Sequence, residues 1–168
     1  MTSFPLRLRD IEFLDGSVAH VVLTPTAEPA PEAEVFAAMV VLRDARGWCA
    51  VTWSPRRGEW GPPGGWREPG ESVAACVVRE VSEEVGLDLD PGTLVPIGHE
   101  HFEPLTAGVW PRDGGYLQLY AALWPAVGDV LVAHEDDAQD PQWVEPAEFR
   151  ARAGRQFWWP LVEVGLRD

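Results

Sequence analysis

Apolar and polar positions follow two rhythms along this chain. Near the N-terminus the period is two: Leu6 and Leu8 alternate with polar residues, and after Asp10 the alternation resumes at Ile11 and Phe13. Asp15-Gly16 is a turn dipeptide, and the β-rich run VAHVVL follows it. Alternation on both sides of such a turn predicts a β-hairpin over residues 4–24. Residues 25–34, PTAEPAPEAE, are rich in Pro, Ala and Glu and predict an extended connector. Phe36 to Leu42 is an apolar run that predicts a buried strand. It ends in a turn from Arg43 to Gly47, and Trp48 to Trp53 predicts its partner.

The rhythm changes at Ser72. From there to Val85 the stretch SVAACVVREVSEEV contains neither Gly nor Pro. At roughly 100° per residue, Ala74, Val77, Val78, Val81 and Val85 share one face, which predicts a helix with a buried stripe. Ser72 suits the N-cap and Gly86 the position after the last turn. Beyond it, Asp88 to Gly92 predicts a turn, Leu94 to Glu103 a strand, residues 106–115 a loop and Tyr116 to Trp124 another strand. Pro125 to Val132 returns the chain, Pro146 opens a helix and Phe157-Trp158-Trp159-Pro160-Leu161 begins a last short one. Strands around one central helix, followed by C-terminal helices, predict the α/β class: an α/β/α sandwich with a mixed β-sheet plus an N-terminal β-hairpin. The expectation is a single domain over residues 1–168, of which 1–33 are the hairpin and connector.

Charge narrows the partners. Against 27 Asp and Glu stand 13 Lys and Arg, a net charge of −14. Such a surface repels polynucleotides and anionic membranes, so neither is an expected partner. It also repels a free nucleotide unless metal ions and a local basic patch neutralise the binding cleft. Cys49 and Cys76 have no metal-binding spacing and read as reduced interior thiols. The first residues, MTSFPLRLRDIEFL, lack the apolar core of a signal peptide, and the apolar run from Val35 to Leu42 is far shorter than the roughly 20 residues a membrane helix needs. A cytoplasmic location is expected.

Chemistry concentrates between Gly65 and Leu87. Glu80, Glu83 and Glu84 are spaced i, i+3 and i+4, so a helix makes their carboxylates neighbours. Their repulsion is offset if they hold Mg²⁺ or Mn²⁺, hard cations that take carboxylate, water and phosphate oxygens. A solvated acidic face explains the three glutamates equally well when they are considered alone. The preceding loop favours the metal. Pro62-Pro63-Gly64-Gly65 and Pro69-Gly70 let the backbone approach a ligand closely, and Glu71 lies at the helix start. Arg56 and Arg57 precede this loop, where their forks suit phosphate oxygens; solvated surface is the plainer account. Trp110, near Arg112, reads either as a stacking lid or as a loop aromatic packed on its own domain. His99 and His101 share a strand face without a third zinc ligand, and Glu100 or Glu103 is a candidate to face the metal cleft.

Gly65, five residues, Glu71, seven residues, then Arg79-Glu80-Val81-x-Glu83-Glu84-x-Gly86-Leu87 resembles the Nudix box at every fixed position. The flank from Trp60 to Gly65 is similar to the W-x-x-P-G-G lead-in of that family, with Pro62 where an apolar residue such as Leu is common. The resemblance implies the Nudix fold and hydrolysis of a diphosphate linkage in a nucleoside diphosphate derivative: a nucleoside di- or triphosphate, damaged ones included, or a nucleotide sugar or ADP-ribose type compound. It implies Glu80 and Glu84 as metal ligands, Glu83 as a third ligand or near the base, the Gly64 carbonyl as a further ligand, and Arg79 and Glu71 as residues that fix the geometry. In the family an acid shortly before a Trp-Val pair often serves the metals or the attacking water, which makes Asp137 and Glu135 the candidates ahead of Trp143-Val144. Neither the coenzyme A signature nor the SQPWPFPxS run of NADH-type members is present, and Pro104, 17 residues past Leu87, is off the position of the ADP-ribose proline. Two alternatives share the fold. One is a non-catalytic nucleotide or ADP-ribose sensor, which would lose box acids that this chain keeps. The other is an isoprenyl diphosphate isomerase, which needs a catalytic cysteine where this chain has only Cys76 inside the helix. An N-terminal sheet of this kind mediates homodimers in some families, which makes a homodimer an expectation here.

Overall fold

The computed structural model describes residues 2–167; Met1 and Asp168 lie outside the described residues. In chain order the elements are β1 (Leu6–Glu12), β2 (Val18–Pro25), β3 (Val35–Arg43), β4 (Cys49–Ser54), β5 (Glu59–Gly61), β6 (Gly64–Trp66), α1 (Val73–Val85), β7 (Val95–Pro104), β8 (Gly115–Leu123), β9 (Gln139–Val144), α2 (Pro146–Ala153) and α3 (Trp159–Gly165). The strands form one sheet in the order β1-β2-β7-β8-β3-β4-β5, with β6 on β3 and β9 on β4. β3 and β8 run parallel and the other pairs are antiparallel, so the sheet is mixed.

β3 sits inside this sheet and buries both faces, which is why its sequence is nearly all apolar. Met39 and Val41 point into one core, with Phe149 of α2 and Leu161 and Val162 of α3. Ala38, Val40 and Leu42 point into the other, with Val73, Cys76, Val77, Val81 and Val85 of α1. Helices on opposite faces of one sheet make the α/β/α sandwich that the pattern predicts.

The N-terminal hairpin forms as expected, and β2 joins the main sheet by pairing with β7 from Ala19↔Pro104 to Pro25↔Gly98. The break in alternation at Asp10 is a bulge. The register shifts between Leu8 and Ile11, and Asp10 has φ 53°. The extra residue returns Ile11 to the half-buried side shared by Leu6 and Leu8.

Three local expectations are corrected. In α1 the buried stripe includes Val73 and Cys76, while Ala74 and Val78 are only half-buried, because β6 packs on the side of the helix that carries Glu80 and Glu84 and buries both. Residues 25–34 are bonded to the fold and are more than a spacer. The Ala30 amide donates to Gln118 Oε1 at 2.8 Å, and the Glu32 carboxylate accepts from the Val73 amide at 2.9 Å. Finally, β9 pairs with β4 although its sequence, QDPQWV, is polar and contains Pro141. A strand at the margin of a sheet tolerates proline because that amide needs no ladder partner.

Candidate active site

The site begins with the two ends of α1. The Ser72 side chain accepts from the Ala75 amide at 3.1 Å, and Gly86 closes the helix at φ 72° with its amide on Ser82 O. A helix fixed at both ends sets the phase of its side chains. Here it directs Glu80 and Glu84 at the Pro-Gly-Gly turn, where β6 pairs with β3. The Gly64 amide donates to Glu84 Oε2 at 3.0 Å.

Arg79 organises the carboxylates. Its Nε and Nη2 bond the two Glu71 oxygens at 2.8 and 3.1 Å, its Nη1 bonds Glu80 Oε1 at 2.9 Å and Glu83 Oε2 at 3.0 Å, and Nη2 also reaches the Trp66 carbonyl at 2.9 Å. The hydrogen bond from Arg79 holds Glu71 below the usual carboxylate range, and the same contact raises the Arg79 guanidinium further. Burial pushes Glu80 up against the opposing pull of Arg79. Burial also pushes Glu84 up to about 8, with the Gly64 amide opposing and Glu80 adding repulsion. Glu80 and Glu84 are therefore crowded, poorly hydrated carboxylates at one end of a cleft of about 400 Å³.

The segment after β8 reaches the same cleft. The Val132 amide bonds Val85 O at 3.0 Å and the His134 amide bonds Glu83 O at 2.7 Å, so this loop docks on the end of α1. Glu135 and Asp137 both line the cleft, and Asp137 is near enough to raise both Glu80 and Glu84 by repulsion. Arg56 and Arg57 are exposed on its rim, with Arg57 Nε 3.2 Å from Glu59 Oε1.

Other sequence candidates lie elsewhere. Trp110 is packed between neighbours rather than free: its ring centroid is 4.0 Å from that of Phe13 and 5.3 Å from that of Phe102. Glu103 pairs with Arg7 and His101 on the surface. Glu100 is fully buried and lines a second cavity. His99 and His101 both pack against Tyr116. Cys76 is buried, with its thiol on the Gly65 carbonyl and pushed up to about 12 by burial, which leaves it no nucleophilic role. Sequence reasoning missed Arg67 and Glu32. Arg67 Nη1 bonds Glu32 O at 2.6 Å and Val35 O at 3.3 Å, tying the connector to the loop before α1. They are 35 residues apart, and no local pattern links them.

The donor set suits a hard divalent cation: several carboxylates, two of them buried together, beside a glycine turn packed so closely that a Cβ on Gly65 would meet the Glu80 carboxylate. Among the described residues no three acids, histidines or cysteines converge as a ready-made metal cluster. Arg79, bonded to Glu80 and Glu83, holds those two carboxylates in ion pairs.

An α/β/α sandwich whose acidic helix is clamped by one arginine over a Pro-Gly-Gly turn defines the class of this domain. A model of the NUDIX domain matches residues 34–163, and the chain belongs to that family. Over 120 residues it is 29% identical to the NAD-capped RNA hydrolase NudC of Stutzerimonas stutzeri, covering 70% of this chain and 39% of that protein. Over 94 residues it is 33% identical to the 8-oxo-dGDP phosphatase NUDT18 of Mus musculus, covering 56% of this chain and 23% of that one. The chain thus spans less than half the length of these relatives. Among solved structures, the NUDIX domain of Shewanella oneidensis NrtR complexed with ADP ribose superposes with a TM-score of 0.60 at 16% identity, over 82% of this chain and 91% of that one, a likeness of fold. No helix among the described residues is long and apolar enough to cross a membrane.

Proposed function

We propose that this chain is a metal-dependent pyrophosphohydrolase that cleaves a diphosphate linkage in a nucleoside diphosphate derivative, either a nucleoside di- or triphosphate or a compound of the nucleotide-sugar or ADP-ribose type. The observation that carries this reading is the Arg79 clamp, which gathers Glu71, Glu80 and Glu83 beside the buried Glu84. A purely solvated acidic face would not bury Glu80 and Glu84 or spend one guanidinium on three carboxylates. The relatives named for NAD-capped RNA and 8-oxo-dGDP support a phosphate-bearing nucleotide as substrate.

In this reading Glu80, Glu84 and the Gly64 carbonyl hold Mg²⁺ or Mn²⁺, with Glu83 as a further carboxylate. The bound ion supplies charge neutralisation at phosphate oxygens and lowers the pKa of the attacking water. Glu71 keeps the Arg79 fork in place, and Arg79 keeps Glu80 and Glu83 from splaying apart. Arg56 and Arg57 bind phosphate oxygens at the rim. The water oxygen bonds to phosphorus, the bridging P–O bond breaks, and a carboxylate takes the water proton. Asp137 is the first candidate for that base because Glu80 and Glu84 feel its charge, with Glu135 and the box glutamates Glu83 and Glu84 behind it.

We also read residues 1–168 as one domain, since β2 is continuous with the main sheet. The outer edge of β1 is the surface on which a homodimer would form. Two buried, unpaired thiols suit the reducing cytoplasm.

The test is a hydrolysis panel with Mg²⁺ and with Mn²⁺. It covers ordinary and oxidised nucleoside di- and triphosphates, ADP-ribose, nucleotide sugars and dinucleoside polyphosphates, with products identified by mass. One class turns over, and Glu84→Gln loses at least about 100-fold. No turnover with either metal, or an undiminished Glu84→Gln, overturns the reading. Tight nucleotide binding without turnover would mark a sensor.

A further inference from the structure

The match to the NUDIX domain begins at residue 34, yet the connector ahead of it reaches the acidic site. Glu32 opens a single 3-10 turn, Glu32–Glu34, and presents two acceptors to Arg67. Arg67 Nη1 bonds the Glu32 carbonyl at 2.6 Å, and Nη2 bonds the Glu32 carboxylate at 3.4 Å. The same carboxylate oxygen accepts from the Val73 amide at 2.9 Å, in the first turn of α1. The sheet holds the connector independently of Arg67. The Ala30 amide donates to the buried Gln118 side chain, whose own NH₂ donates to the Gly98 and Leu119 carbonyls.

Arg67 also grips a turn. Glu68-Pro69-Gly70-Glu71 has Pro second and Gly third, with Gly70 at φ 80°, the residues a type II turn requires. The Glu71 amide closes it on Glu68 O at 3.1 Å, and the Glu68 amide donates to Glu71 Oε2 at 2.9 Å. These bonds are internal: they give the turn its shape and leave its place in the fold open. Its place is set from outside. Arg67 Nε donates to the Glu71 carbonyl at 2.5 Å, while Arg79 holds the Glu71 carboxylate. Arg67 is in turn fixed to β3, with its amide on Phe36 O at 2.8 Å and Nη1 on Val35 O at 3.3 Å.

We propose that Arg67 is a positioning residue of the acidic site and Glu32 its anchor, and that together they lock the Glu68–Glu71 turn to the start of α1 so that Glu71 meets the Arg79 fork. Glu71 rides on the turn, whereas Arg79, Glu80, Glu83 and Glu84 ride on the helix. Glu32 gives both parts one reference, through Arg67 to the turn and through Val73 to the helix. A residue outside the family match thus sets the geometry inside it. The planar fork is essential, because it serves oxygens of Glu32, Val35 and Glu71 at once, which a lysine ammonium does not. The proposal rests on the metal-dependent reading above for its effect on activity, while its effect on Arg79 is independent of that reading.

The experiment follows the Arg79 Nε–H proton by NMR in metal-free protein, with its signal assigned by its loss in Arg79→Lys. Mn²⁺ calorimetry and kcat/KM on the substrate that turns over run alongside. Arg67→Met speeds exchange of that proton by at least about tenfold, since the bond to Glu71 opens more often. It also weakens Mn²⁺ binding and lowers kcat/KM by about 10- to 100-fold. Arg67→Lys does not restore them. In a Glu71→Gln background Arg67→Met costs less than about threefold more, because both act through one contact. Ser72→Ala is the control: it removes the other cap of α1 and lowers the melting temperature, yet leaves Arg79 exchange and Mn²⁺ affinity within about threefold of wild type. Thermal melts report folding, and if Arg67→Met does not fold, the same comparisons are read on Arg67→Lys. If Arg79 exchange speeds up but wild type neither binds Mn²⁺ nor hydrolyses any substrate, the positioning stands and the hydrolase reading falls. If exchange is unchanged in a folded Arg67 variant, if Ser72→Ala moves exchange and Mn²⁺ binding as much, or if the Arg67 and Glu71 effects simply add, the proposal is overturned.

Discussion

A Cβ placed on Gly65 would stand 2.6 Å from the carboxyl carbon of Glu80, so the turn and the helix meet where only hydrogen leaves room. Glu80 is also bonded to Arg79 at 2.9 Å and cannot withdraw without breaking that contact. Gly65→Ala should therefore displace the carboxylate while leaving the cores untouched. The expected result is a loss of roughly 100-fold in kcat, the scale of a small misplacement of catalytic groups. Circular dichroism should remain that of the wild type, and wild-type kcat in this variant would remove Glu80 from the site.

The Arg79 fork makes a second prediction. It serves Glu71 through Nε and Nη2 and both Glu80 and Glu83 through Nη1, and a lysine ammonium cannot reproduce that geometry. Arg79→Lys should lose about 10- to 100-fold in kcat/KM, the range expected when a partner that orients metal ligands is lost. A metal titration of activity should move to higher Mg²⁺. Rescue by lysine would mean that charge alone matters.

The loop acids should separate by kinetics. Both acids line the cleft, and Asp137 is the one near enough to repel Glu80 and Glu84. Asp137→Asn should lower kcat by at least about 100-fold, the usual worth of a general base, and Glu135→Gln by less than about threefold. The reverse order would pass the base role to Glu135.

Stability should depend on pH through Glu100. Its carboxyl titrates near 8 in the fold, against an ordinary value of 4.5, because burial disfavours the charge. A raised carboxyl contributes stability that is fully present below about 4.5 and is lost as pH rises through about 8. Arg57 moderates this loss and Glu59 adds to it. Metal-free protein should melt lower at about pH 9 than at about pH 6, and Glu100→Gln should shrink the difference. Glu84, also raised to about 8, and Glu80 and Glu59, likewise pushed up by burial, supply the part that remains. An unchanged slope in Glu100→Gln would exclude Glu100 as its source.

Glu32 caps α1 from outside its own sequence, through the 2.9 Å bond to the Val73 amide. Glu32→Ala should cost about 1 kcal/mol of unfolding free energy, as other lost N-terminal caps do. Denaturant melts give this directly, and no change would show that Ser72 alone suffices.

Much of this protein is local and therefore legible along the chain. The hairpin around Asp15-Gly16, the buried run of β3 and the capped helix from Ser72 to Gly86 are patterns of period, cap and turn, each set by residues a few positions apart. The spacing of Glu80, Glu83 and Glu84 makes them neighbours on any helix. What tertiary structure decided is every relation across long separations. The packing of β6 on α1 buried Glu80 and Glu84 while Ala74 and Val78 stayed half-buried. Pairing at a sheet margin made a strand of QDPQWV. Arg67 found Glu32 across 35 residues, and β7 carried Glu100 into an aromatic cavity roofed by residues from the other end of the chain. Periodicity records which side of an element avoids water, because burial acts on each residue where it stands. It does not record which distant surface covers that side, since docking is settled by the packing of the whole sheet.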